Sequence, residues 1–199
     1  MPKVQVPHAP HFVGWDTLTH SHLSVAQMFM LFALPLSLVP PVMIYYAGKT
    51  YGGHMLPLLS DAHLTSISIL FFIAELVMTF VVAYIIQWLG DWVGEKPAFA
   101  DCYKLAVVAP IPLWLAPLFL FIPSFTLNLT IASLALVASG VLVFYGTPSI
   151  LRIEEEKVEG ATVLLAGSIL AVAMVAWAVM MYLTLLSWSF ITFNLLPLV

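Results

Sequence analysis

A chain of 199 residues with 62% hydrophobic and only 8% charged residues cannot clothe a water-facing globule, since a soluble domain carries about 25% charged residues. The formal net charge of −4 leaves no basis for nucleic-acid binding. A single cysteine, Cys102, excludes an internal disulfide and a cysteine-based metal cluster. These figures describe a polytopic membrane protein, with the lipid bilayer as its first partner. The fold class they imply is all-α.

Residues 1–24 read as a polar interfacial segment, and Phe12, Val13, Trp15 and Leu18 suit the headgroup region. No basic start leads into a short apolar core there, so a signal peptide is not expected. Ser24 and Gln27 have the spacing of a capping box, which predicts a helix start. The first span is expected over about Val25 to Tyr46, kinked by Pro35, Pro40 and Pro41. A loop from Ala47 to Ser60 follows. Its Gly48-Lys49-Thr50 resembles the end of a phosphate-binding loop, but Met43 stands where the first glycine is required, so a turn is expected instead.

The second span is expected over about Leu64 to Leu89, with Glu75 at its middle. The next loop carries Asp91, Glu95 and Lys96. The third span, about Cys102 to Ile122, starts with Lys104 placed to snorkel. Pro110, Pro112 and Pro117 predict a kinked span three, tolerable in a membrane only where neighbours satisfy the freed carbonyls. A short turn at Pro123 joins it to a fourth span, about Thr126 to Tyr145, whose Ala135 and Ser139 are spaced for close helix approach.

Gly146 and Pro148 then read as a helix stop. They open a charged loop containing Arg152, Glu154, Glu155 and Glu156, the region where a protein partner or a second copy would dock. A fifth span is expected over about Ala161 to Leu186, with Gly167 and Ala171 at small-residue spacing, followed by an apolar tail from 187 to 199. The whole is a bundle of five transmembrane helices over residues 25–186. Lys3, Lys96, Lys104, Arg152 and Lys157 fall on one side of a five-span plan, and Lys49 alone falls on the other. That bias places the N-terminus in the cytoplasm and the C-terminus outside.

The third span opens with Pro97-Ala98-Phe99-Ala100-Asp101-Cys102 and continues to Ala109-Pro110-Ile111-Pro112-Leu113. The fourth ends in Tyr145-Gly146-Thr147-Pro148-Ser149. In these residues, their order and their spacing, the chain resembles the Yip family of Ypt/Rab-interacting membrane proteins, most of all its bacterial inner-membrane branch. The resemblance implies five spans, a cytoplasmic N-terminus and a family motif at Tyr145, Gly146 and Pro148. Val107 and Val108 stand where the eukaryotic members have Gly-Tyr, and the long acidic N-terminal region is absent, so Rab binding does not transfer.

Glu75 lies among Phe72, Ile73, Ala74, Leu76, Val77 and Met78. A carboxylate at mid-bilayer costs at least about 2.5 kcal/mol, so it must face protein or water or stay protonated. It is read either as a proton or cation relay or as a neutral acid bonded to another helix, with Gln87, Asn128 and the span-three carbonyls as candidate partners. His8, His11, His20, His22, His54 and His63 lack the convergent spacing of a metal site. Asp61 and His63 suit a helix start. No catalytic grouping is present, and no cofactor is implied. The function expected is a non-enzymatic membrane scaffold or adaptor. A small transporter or channel subunit using Glu75, or an accessory subunit of a larger membrane enzyme complex, are the alternatives.

Overall fold

The structure is a computed structural model that describes residues 15, 17–18, 20–21, 23–55, 61–94, 96–151, 165–173 and 175. All regular structure among the described residues is helical. Four helices are long and apolar enough to cross a membrane: span one Val25–Tyr51, span two Asp61–Trp92, span three Phe99–Phe121 and span four Phe125–Ile150. Of the expected fifth span, residues 165–173 are helical, and most of the rest lies outside the described residues. The charged residues Arg152, Glu154, Glu155 and Glu156 also lie outside them.

Span one starts where its polar residues dictate. The Ser24 hydroxyl accepts from the Gln27 N–H at 3.2 Å, and the Gln27 side chain accepts from the Ser24 N–H at 2.9 Å, which is the reciprocal capping box. A π-helical turn over Phe29–Ala33 follows directly. Pro35 explains it: the proline ring would crowd the carbonyl four residues back, and a wider turn makes room. The helix then runs through Gly48 to Met55, so the turn expected at Ala47 begins later. Gly48 is a contact point, because a Cβ there would stand 2.6 Å from Leu64 Cδ2 on span two. Asp61 occupies the first turn of span two and pairs with Lys49 at 3.0 Å. Gly94, with φ of +92°, stops the helix that contains span two.

Span three breaks into an α-helix Phe99–Val108, a short helix Ile111–Leu115 and a 3₁₀ segment Ala116–Phe121. Each new piece has a proline in or just ahead of its first turn, where the missing N–H is not needed. Cys102 to Val107 are six consecutive buried residues. A helix buried on every side is a central one, so the first half of span three is the core around which the others pack. Phe29, Phe80, Phe99 and Tyr103 form an aromatic cluster there, with the Phe80 and Tyr103 centroids 4.9 Å apart.

Span four departs from expectation. Its helix continues through Tyr145, Gly146 and Pro148 to Leu151, with Pro148 inside it. One reason is local and the other is tertiary. Pro148 frees only the Phe144 carbonyl, and the Thr147 hydroxyl adds a bond to the neighbouring Val143 carbonyl in the same turn. Gly146 serves as a notch instead of a stop: a Cβ there would meet Trp15 Cζ2 at 2.7 Å and Leu105 Cδ1 at 2.8 Å. Gly167, by contrast, has nothing within 4 Å of its Cβ position, and both it and Ala171 are exposed among the described residues.

Two ends of the bundle are defined by these contacts. Lys49, Asp61, Tyr51 and Phe121 meet at one end, where the Tyr51 hydroxyl donates to the Phe121 carbonyl at 3.1 Å. Trp15, Ser21, Lys104 and Gly146 meet at the other.

Candidate functional site

The second end is built from the chain start inward. Trp15 is 3% exposed, so it lies inside the bundle and not in the headgroup layer. An indole fits there only because span four presents Gly146 where any other residue would intrude. Leu18 and Leu23 pack against the same core. Lys104 does not snorkel: it is 3% exposed, and its Nζ donates to the Ser21 carbonyl and to Asp101 Oδ1, each at 3.0 Å. An ammonium with a long stem would reach water if nothing else satisfied it. Here a carboxylate one turn back and a carbonyl of the N-terminal segment do so. The arrangement ties residues 15–21 to spans three and four at two points.

The membrane interior holds a second group. Span two turns one face inward: Leu64, Ser68, Phe71, Glu75, Thr79, Ala83 and Ile86, at helical spacing. Three of these seven are polar. Glu75 is 8% exposed, and its carboxyl faces the indole of Trp114, buried on the short middle piece of span three. Glu75 Oε2 and Ser68 Oγ have no hydrogen-bond partner among the described residues, and the same holds for Ser139 Oγ on span four. One turn from Glu75, the Thr79 hydroxyl donates to the Leu76 carbonyl at 2.8 Å and meets the Tyr103 hydroxyl at 3.3 Å. An unpartnered buried polar group costs about 1–3 kcal/mol, so the sequence carries this column against a steady penalty.

The partners expected for Glu75 are occupied elsewhere. Gln87 donates to the Pro97 carbonyl at 3.2 Å. Asn128 donates to the carbonyls of Ile122 and Ser124, both at 2.8 Å, and caps the hairpin between spans three and four. Trp114 was not singled out by sequence reasoning. The available signal was its place just past Pro110 and Pro112, at the kink where span three must turn a new face to its neighbours. Lys104 and Asp101 carried a clearer signal, the three-residue spacing of a helical ion pair.

No group of three or more His, Cys, Asp or Glu among the described residues could hold a metal ion. His8, His11 and His22 lie outside them. The polar column can accept, hold and donate protons, and the Lys104 end can present a fixed surface.

No match to a curated protein or to a solved structure is found. The family model described as Yip1 domain matches residues 12–180, which takes in Trp15, all four spans and the 165–173 helix. The chain is an integral membrane protein that belongs to the Yip1 domain family.

Proposed function

We propose that the protein is a non-enzymatic scaffold or adaptor of the bacterial inner membrane, with its N-terminus in the cytoplasm and its C-terminus outside. The observation that carries this reading is the fixed end of the bundle. Trp15 in the Gly146 notch and Ser21 on Lys104 lock the N-terminal segment onto spans three and four. Leu151 leaves span four at this same end, and the chain's densest charge cluster, Arg152 to Lys157, comes next. A rigid base next in sequence to a charged segment suits docking, because the partner then orders few groups on binding. The partner would be a protein with a basic surface complementary to Glu154, Glu155 and Glu156.

On this reading the three carboxylates are solvated, so replacing them by Gln should leave the melting temperature of the detergent-solubilised protein within a degree or two. Recovery of co-purifying protein in mild detergent should fall sharply. Unchanged recovery would remove the docking role. The orientation is tested separately by cysteine labelling from either face of the membrane. The native Cys102 is fully buried, so an impermeant reagent reads the engineered sites alone. Sites beside Glu155 and beside Gly52 should label from opposite faces, with the Glu155 site cytoplasmic.

A further inference from the structure

The interior column has a polarity that the scaffold reading does not use. Seven residues separate Ser68 from Glu75, and another seven separate Asp61 from Ser68. At about 1.5 Å per residue these are steps of about 10 Å along one helix face. Ser68 therefore stands halfway between Glu75 and the Lys49–Asp61 end. Its buried hydroxyl oxygen and Glu75 Oε2 are both without partners. In the other direction the column is closed: Thr79 and Tyr103 satisfy one another, and Phe80 and Phe99 flank the Tyr103 ring. On span two the unpartnered Ser68 hydroxyl thus lies on the Lys49–Asp61 side of Glu75.

We propose that the Glu75 carboxyl is a proton-binding site that exchanges its proton with water at the Lys49–Asp61 end of the bundle, past the Ser68 hydroxyl. The other titratable side chains described on the packed elements are engaged elsewhere. On span one, Lys49 is paired with Asp61 and lies 5.9 Å from the Tyr45 ring centroid. Tyr46 packs on Tyr51 and Phe121, and Tyr51 bonds the Phe121 carbonyl. On span three, Lys104 is held by Asp101 and Ser21, Tyr103 by Thr79, and Cys102 is buried beside Asp101. On span two itself, His63 and Asp91 stand near opposite ends, and Tyr84 is exposed on another face. Glu75 is left facing Trp114, a neutral donor. No fixed positive charge among the described side chains holds the carboxyl ionised, so proton occupancy is free to follow the bulk phase it reaches.

Infrared spectroscopy of the full chain in lipid nanodiscs reads the site directly. The difference between the parent and Glu75→Gln should contain one carboxylic C=O band. That band should shift down on transfer to D2O, and its intensity should change reversibly with bulk pH. Trp114→Phe should move the band, since it removes the polar N–H of the ring that faces the carboxyl. Ser68→Ala should slow the deuterium shift, and Thr79→Val should leave its rate unchanged. If Glu75→Gln does not fold, the pH-dependent band is assigned in the parent from its displacement in Trp114→Phe. A band that ignores both D2O and pH would mean a sealed structural acid and would overturn the proposal. Slower exchange in Thr79→Val with a normal rate in Ser68→Ala would place the route at the opposite end and overturn it as well.

Discussion

Gly146→Leu should abolish assembly of the bundle, and Gly146→Ala should weaken it by about 1–3 kcal/mol, the usual cost of overpacking a close-packed site. The added Cβ would stand 2.7 Å and 2.9 Å from two Trp15 ring atoms and 2.8 Å from Leu105. An indole is rigid, and Leu105 is fully buried, so neither neighbour can step aside cheaply. Thermal unfolding in detergent, followed by size-exclusion chromatography, measures the loss. Trp15→Ala should destabilise the protein alone but restore part of the Gly146→Ala loss when combined with it, because it removes two of the three close contacts. A strictly additive double variant would show that the notch is not shaped to the indole.

The second large effect should come from Lys104→Ala. Removing one member of a buried ion pair costs about 3–5 kcal/mol, mostly from the partner left behind. The Asp101 side chain is 16% exposed and Lys104 only 4%, so the lower end of that range applies. The Ser21 carbonyl loses its donor in the same step. The N-terminal segment should therefore become a substrate for limited proteolysis before the spans themselves unfold. Lys104→Met keeps the stem and tests the charge alone; an unaltered cleavage pattern in both variants would show that Trp15 suffices to hold the segment.

The helices were legible because composition and hydropathy depend on the bilayer, a solvent whose demands are simple. Ser24 and Gln27 announced a helix start by chemistry that is wholly local. Glu75 was legible as costly, because no apolar surroundings make a carboxyl cheap. What stayed hidden depended on contacts between distant parts of the chain. Gly146 and Pro148 carry a local stop signal, and the helix overrides it through tertiary contact with Trp15 and Leu105. Trp15 reads as an interfacial aromatic until span four supplies a cavity for it. Lys104 reads as a snorkelling cation until Ser21 arrives from the other end of the sequence. The Trp114 contact required knowing which face a proline-broken helix presents after its kink.

The Trp15 contact also fixes an order of events. Its ring waits on a residue more than a hundred positions downstream. At a synthesis rate of about 5–20 residues per second, the delay before Gly146 emerges is on the order of ten seconds. During that interval spans one to three enter the bilayer with the N-terminal tryptophan unhoused and the Lys104 ion pair incompletely covered. Seating of the Trp15 ring is thus among the last steps of assembly, and it can occur only on a molecule whose fourth span has already been delivered.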